Sequence, residues 1–177
     1  MTKKNKKWIQ YIVMTLIALA IAFIVYSTVT QSKSKAVAVG DEAPAFELQK
    51  MDGSTVKMSD YKGKGVILNF WGTWCDPCKR EMPALSKNYE AYKGKNVEVL
   101  AIHLRKTPQQ VEQFFSGLKE EVHLPVAFDK DNEVADAFGI DPLPTTVVID
   151  KNGKVKAIHK GEMNDQTIKN YMNSVTP

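Results

Sequence analysis

The chain has 177 residues, enough for one domain with a normal hydrophobic core and an extension. Its net charge of +4 comes from the N-terminus, because residues 1–35 hold six lysines and no acid, whereas the remainder has 18 basic against 20 acidic side chains. The sequence after residue 35 contains no stripe of Lys and Arg with interleaved aromatic residues, which argues against a nucleic-acid partner.

The N-terminus predicts attachment to a membrane. Residues 1–7 are basic, and residues 8–30 contain no charged side chain over 23 positions. A transmembrane helix needs about 20 mostly apolar residues, and flanking lysines favour the cytoplasmic side. We therefore predict a cytoplasmic segment at 1–7, a single-pass anchor at 8–30 and a flexible polar linker at 31–40. The alternative is a signal peptide cleaved after Ala38, although its apolar core is usually only about 7–15 residues long.

The domain predicted over 41–177 alternates strands and helices. A β-hairpin around Asp52-Gly53 opens it, because Asp-Gly between alternating runs favours a tight turn. Further strands are expected at 65–70, 97–104, 125–128, 145–149 and 154–159. Helices are expected after Cys75 to about Tyr92, from a Thr107 cap, at 132–138 behind an Asp131 cap, and from an Asn164 cap. This order predicts an α/β fold with a mixed sheet flanked by helices on both faces.

Two cysteines separated by two residues, Cys75 and Cys78, stand between the 65–70 strand and the helix that follows it. Residues three apart on a helix share a face, so a small adjustment brings their sulfurs to disulfide distance. The helix N-terminus favours the thiolate of Cys75, which should be the more accessible sulfur. The arrangement suits thiol–disulfide exchange, in which Cys75 attacks a substrate disulfide and Cys78 resolves the mixed disulfide.

Two other uses of the cysteine pair are weighed against exchange. A static disulfide across so short a loop constrains the unfolded chain little. A structural zinc site normally needs four ligands, and the chain has no third cysteine and only three scattered histidines, namely His103, His123 and His159. Redox chemistry is therefore favoured, with no metal and no cofactor beyond the redox-active disulfide itself.

The stretch WGTWCDPCKR at 71–80, between a hydrophobic strand and a helix, resembles the active site of the thioredoxin superfamily. Together with the run that begins at Gly63, the later PLPTT at 142–146 and the N-terminal apolar segment, it is similar to the ResA group. Those are bacterial membrane-anchored thiol–disulfide oxidoreductases of cytochrome c maturation. The resemblance covers about residues 40–175 and the anchor. It implies a thioredoxin-like fold with an extra N-terminal β-hairpin.

The resemblance also implies roles for individual residues. Glu81 would be a partly buried glutamate that accepts the Cys78 proton, although a solvated carboxylate is the plainer interpretation. The loop at 143–145 would be a cis-proline loop facing the cysteines, with the Leu143 backbone left to pair with an extended substrate. An ordinary trans proline is the alternative. Substrate contacts are assigned to six residues: Trp74, Asp76, Pro77, Leu143, Pro144 and Thr145. Independently of the resemblance, the Asp76 carboxylate opposes thiolate formation and thereby favours a reductase, although a fully solvated carboxylate would have little effect.

The function implied is a membrane-tethered reductase whose catalytic domain lies outside the cytoplasm. Its expected clients are exported proteins that contain disulfides. Apocytochrome c is the main candidate, since its C-x-x-C-H motif must be reduced before haem attachment, and a transmembrane thiol carrier would supply electrons. Other exported clients, such as an envelope or spore-assembly enzyme, stay open. A copper metallochaperone is less favoured, because thioredoxin-like copper proteins have a C-x-x-x-C motif plus a histidine, whereas this chain has C-x-x-C. A peroxidase is also less favoured, because the motif lacks the context of a lone peroxidatic cysteine.

Overall fold

The computed structural model describes residues 3–30, 36–105 and 107–177. The chain divides into two compact units, and the second is Ala36–Pro177. The first unit contains the helix α1, Lys3–Thr30. Across the described ranges, no helix combines the length and the apolar character needed to cross a membrane. The anchor predicted at 8–30 is therefore not confirmed.

The predicted linker at 31–40 divides into two parts. Residues 31–35 lie outside the described ranges. Residues 36–40 instead belong to the second compact unit, where Val37 is buried and the Gly40 N–H donates to the Val155 carbonyl at 2.8 Å. The folded domain thus begins a few residues before the expected start at 41, because this short segment packs on the domain.

The second unit contains the predicted alternation of strands and helices. Its strands are β1 Glu47–Lys50, β2 Thr55–Lys57, β3 Gly65–Trp71, β4 Val97–Leu104, β5 Val126–Asp129, β6 Thr145–Ile149 and β7 Val155–Lys160. Its helices are α2 Asp76–Tyr92, α3 Pro108–Ser116, α4 Glu133–Phe138 and α5 Asp165–Val175, and a 3₁₀ turn covers Met58–Tyr61. The predicted hairpins, strands and helices are confirmed, with boundaries that differ by one or two residues.

The seven strands form one mixed sheet in the order β2-β1-β5-β4-β3-β6-β7. The central strand β3 pairs in parallel with β4 and antiparallel with β6. The N-terminal hairpin extends the sheet through an antiparallel β1–β5 pairing. Every residue of β3 is buried, as expected for a strand covered on both faces. Its side chains alternate between a cluster containing Leu68 and a second cluster, under α2 and α5, containing Ile67.

The helix caps confirm two predictions and correct one. Asn164 Oδ1 accepts the Thr167 N–H at 2.9 Å, and Gln110 Oε1 accepts the Thr107 N–H at 3.3 Å, as expected of caps. The Asp131 cap is wrong. Asn132, with φ of +60°, occupies the cap position of α4, and its side chain makes no capping bond. Asp129, at the end of β5, instead accepts the Ala135 N–H at 2.8 Å.

Candidate active site

The cysteine pair lies where the central strand leads into α2. Cys75 is the N-cap of α2, and its Sγ accepts the Cys78 N–H at 3.2 Å. The two residues form a disulfide. Cys75 is 9% exposed and Cys78 is fully buried, so Cys75 is the more accessible sulfur, as predicted, although access to it is narrow. An incoming disulfide can reach only Cys75 without a rearrangement of the helix.

An apolar cluster surrounds the disulfide. Both cysteines pack with Trp71, Met82 and Phe128, and Leu143 from the proline loop packs against the same cluster. Trp74, beside Cys75, is 53% exposed and is therefore the large apolar side chain that this site presents to solvent. Trp71 is fully buried, so Trp74 is the accessible one of these two tryptophans, and its contact with a substrate stays a prediction.

Glu81 lies one helical turn beyond Cys78 and is only 1% exposed, more buried than expected. Its Oε1 accepts from Asn69 Nδ2 at 2.8 Å, and its Oε2 accepts the Met163 N–H at 3.0 Å. Burial raises the pKa of Glu81 to about 7. The two donors act in the opposite direction, and the nearby Glu162 carboxylate raises the pKa further. A carboxyl group in this state can accept or release a proton near neutral pH.

The sequence analysis does not identify the two hydrogen-bond donors to Glu81, which are Asn69 and the Met163 N–H. Asn69 lies in the middle of the buried strand β3, and its Nδ2 also donates to Thr146 Oγ1 at 3.0 Å. A polar amide inside the apolar run GVILNFW was the available signal, since a buried amide needs hydrogen-bond partners. The Met163 contribution comes from the backbone, and no sequence pattern marks it.

An exposed ion pair accompanies the buried Glu81 contact. Arg80 Nε and Nη2 donate to Glu162 Oε2 at 2.9 and 2.6 Å, and thus form a forked contact. Arg80 precedes Glu81 and Glu162 precedes Met163, so the ion pair and the buried contact join the same two segments. Pairing with Glu162 raises the pKa of the already basic Arg80.

The proline loop lies beside the cysteine cluster, as predicted. The Leu143–Pro144 bond is cis, and so is the Asp141–Pro142 bond. Within the described residues, neither the N–H nor the carbonyl of Leu143 makes a hydrogen bond. The Pro144 carbonyl, in contrast, accepts the Gly161 N–H at 2.8 Å.

The residues assigned to substrate contact differ in accessibility. Thr145 is fully buried, and its hydroxyl donates to the Pro142 carbonyl at 2.6 Å, so its side chain serves the loop rather than a substrate. Pro144 is also buried. Leu143 and Pro77 are half-buried and Asp76 is exposed, so together with Trp74 they form the accessible part of the assigned set.

The three histidines do not come together. His103 is buried in β4, His123 is exposed beside Glu121, and His159 Nδ1 lies 3.3 Å from the Tyr171 hydroxyl. Among the residues with described positions, no group of three or more metal-binding side chains is present.

A mixed sheet, a C-x-x-C disulfide at a helix N-terminus and a cis-proline loop beside it define a thioredoxin-like protein with a redox-active disulfide. The pattern of the AhpC/TSA family matches residues 39–158. The chain therefore belongs to the AhpC/TSA family, and it is a thiol–disulfide oxidoreductase of the ResA-like kind.

Individual relatives support this assignment. Thiol-disulfide oxidoreductase ResA of Geobacillus thermodenitrificans is 40% identical over 177 residues, which is 100% of both chains. A Chlorobium tepidum structure assigned as the thiol:disulfide interchange protein DsbE is 30% identical, with a TM-score of 0.72 over 80% of this chain and 100% of its own. An exposed lipoprotein thioredoxin of Streptococcus pneumoniae is 30% identical, with a TM-score of 0.66 over 74% and 99% of the two chains.

Proposed function

We propose that the protein reduces disulfides of exported proteins, and that apocytochrome c, with its C-x-x-C-H motif, is its main client. The observation that carries the reductase proposal is the buried Glu81 carboxyl group one turn beyond Cys78, with a pKa of about 7. A dithiol that donates electrons must lose the proton of its second cysteine. A carboxyl group with this pKa is suited to accept that proton at neutral pH.

The proposed cycle starts from the reduced pair. The Cys75 thiolate, favoured by the α2 N-terminus, attacks one sulfur of the client disulfide and releases the other as a thiolate. Glu81 takes the proton of the Cys78 thiol, and the resulting thiolate attacks Cys75. The Cys75–client bond breaks, the second client sulfur also leaves as a thiolate, and the disulfide seen in the structure forms. The two client thiolates take up protons from Glu81 and from water. Two electrons have then passed to the client.

The proposed client site lies between Trp74 and the proline loop. The Leu143 N–H and carbonyl make no hydrogen bond within the described residues, so they are available to pair with an extended client segment. Leu143 also packs on the cysteine cluster, which would bring that segment close to Cys75. Trp74 supplies apolar surface, and Asp76 and Pro77 complete the rim.

We further propose that the catalytic domain lies outside the cytoplasm and is tethered through residues 8–30. The uncharged stretch and the basic segment before it support this topology, as does the similarity to an exposed lipoprotein. A transmembrane thiol carrier would return electrons to the disulfide. Alkaline extraction of membranes should release a variant that lacks residues 1–30 but not the full chain. Release of both would contradict the tether.

Covalent trapping tests the client. In Cys78→Ala, the mixed disulfide at Cys75 cannot be resolved, so clients stay attached. Expressed in the native host, this variant should retain proteins with a C-x-x-C-H motif, and the Cys75→Ala/Cys78→Ala control should retain none. Attachment only of other exported enzymes would contradict the apocytochrome c proposal and leave the reductase proposal intact. No covalent attachment to Cys78→Ala above the level of the cysteine-free control would contradict both.

A further inference from the structure

His103 lies directly behind the turn that carries Cys75. It is fully buried in β4, and it pairs in register with Trp71 at the end of β3. The centroid of its ring lies 4.6 Å from that of Trp71 and 5.7 Å from that of Trp74, with interplanar angles of 88° and 89°. The imidazole therefore contacts both tryptophans that flank the turn, and it contacts each of them edge to face.

His103 also holds the backbone of the turn. Its Nε2 accepts the Thr73 N–H at 3.1 Å. A nitrogen that accepts a hydrogen bond carries a lone pair, whereas both nitrogens of an imidazolium carry hydrogens. The ring is therefore neutral, with its proton on Nδ1. This assignment follows from the contact and can be measured independently.

The turn itself has little freedom. The Cys75 N–H donates to the Gly72 carbonyl at 3.0 Å, which closes the turn. The Trp74 ring folds back across Gly72, where an added Cβ would lie 2.7 Å from Trp74 Cζ2. Trp74 thus lies against both Gly72 and the His103 ring, although about half of its surface is exposed.

We propose that His103 is a positioning residue that, as a neutral imidazole, fixes the turn at 72–75 and orients Trp74 for contact with the client. The inference rests on the proposed client site at Trp74. His103 does not touch the reacting sulfurs in this account. It acts through two neighbours, the Thr73 N–H and the Trp74 ring, and it thereby sets the surface that an extended client meets beside Cys75.

Two substitutions separate the contributions of the ring and the acceptor. His103→Phe keeps a planar ring between the tryptophans but removes the acceptor, whereas His103→Gln keeps an acceptor oxygen. Loss of one hydrogen bond should raise KM for an oxidised C-x-x-C-H peptide about two- to tenfold in His103→Phe, with a smaller change in kcat. His103→Gln should recover part of the loss. The matched control is His159→Phe. His159 lies in β7 beside the Tyr171 hydroxyl, so this variant should keep KM within twofold of the wild-type value.

Nitrogen NMR of the wild-type ring tests the same proposal without a variant. The ¹⁵N shifts should show the neutral form with the proton on Nδ1. A proton on Nε2, or an unchanged KM in a folded His103→Phe, would overturn the positioning role. Trp74→Ala separates this outcome from failure of the client site. If Trp74→Ala leaves KM unchanged, the proposed client contact of Trp74 is wrong. In that case, the indole NMR signal of Trp74 in His103→Phe still shows whether His103 orients the Trp74 ring.

Discussion

Two buried carboxyl groups of this domain, Glu81 and Asp129, have different hydrogen-bond partners. Glu81 lies in α2, one helical turn beyond Cys78, and Asp129 is the last residue of β5. Asp129 is only 2% exposed, so the two groups are buried to nearly the same degree. Among the residues that the structure describes, these are the two acids in the set of buried polar side chains. Burial alone therefore does not distinguish a reactive carboxyl group from a structural one.

The difference lies in what donates to each group. Asp129 Oδ2 accepts the Ala135 N–H in the first turn of α4, where a helix N-terminus favours negative charge. Glu81 receives one side-chain amide and one backbone N–H, and these donors do not offset its burial, so its pKa rises to about 7. Asp129 thus holds the first turn of α4, whereas burial raises the pKa of Glu81 to about 7 one helical turn beyond Cys78.

The largest expected effect is on Glu81→Gln. Removal of the proton acceptor should slow reduction of an oxidised peptide at pH 7 about a hundredfold, because general bases contribute at least that much. The fold should persist, since a glutamine can still accept the Met163 N–H and the amide of Asn69 can rotate to pair with it. Stopped-flow kinetics measure the rate. Asp129→Asn is the matched control, and an equal loss there would remove the distinction between the two groups.

The second effect concerns stability against pH. The pKa of Glu81 in the folded disulfide form is about 7, above its ordinary value of 4.5. Between these values the unfolded chain loses a proton that the folded protein keeps, so stability should fall as pH rises, by about 3 kcal/mol in total. Urea unfolding of the oxidised protein at several pH values measures the slope. In Glu81→Gln, the unfolding free energy should not fall with pH in this range. The same dependence on pH in the variant would contradict the pKa assigned to Glu81.

A third effect tests the structural carboxylate. Asp129→Ala leaves the Ala135 N–H buried without its acceptor and should cost about 1–3 kcal/mol of unfolding free energy, with exchange kinetics unchanged. Asp131→Ala, at the exposed position first expected to cap α4, should change stability by less than about 0.5 kcal/mol. Equal losses in the two variants would restore Asp131 as the cap.

The smallest effect is expected at the exposed Arg80–Glu162 pair. Arg80→Gln should lower the urea midpoint only slightly, and added salt should erase the difference, because solvent screens exposed pairs. If Arg80→Gln slowed exchange as much as Glu81→Gln, the ion pair rather than the buried carboxyl group would control the site.

The sequence predicts local features of this protein well. The strands, the Asp52-Gly53 hairpin, the Asn164 cap and the cysteine pair each depend on a few neighbouring residues, and the structure contains all of them. The sequence predicts long-range pairing less well. Asn69 and Glu81 are 12 residues apart and Glu81 and Met163 are 82 apart, and only the fold brings the three together.

The correction of the α4 cap has a long-range origin. Asp131 precedes α4 and satisfies the local pattern of a cap, yet Asp129 has the better direction because β5 ends beside the helix. His103 is a second case of long-range pairing, because it is fully buried in β4. Its contact with the Thr73 N–H depends on the parallel register of β3 and β4, which no local pattern specifies.

The central claim is that Glu81 accepts the Cys78 proton. It is tested most directly by the rate at which a preformed mixed disulfide on Cys75 is resolved, measured across pH in wild type and Glu81→Gln. The wild-type rate should rise with a midpoint near the Glu81 pKa of about 7, and this rise should be lost in the variant. The same midpoint and the same rates in both proteins would contradict it.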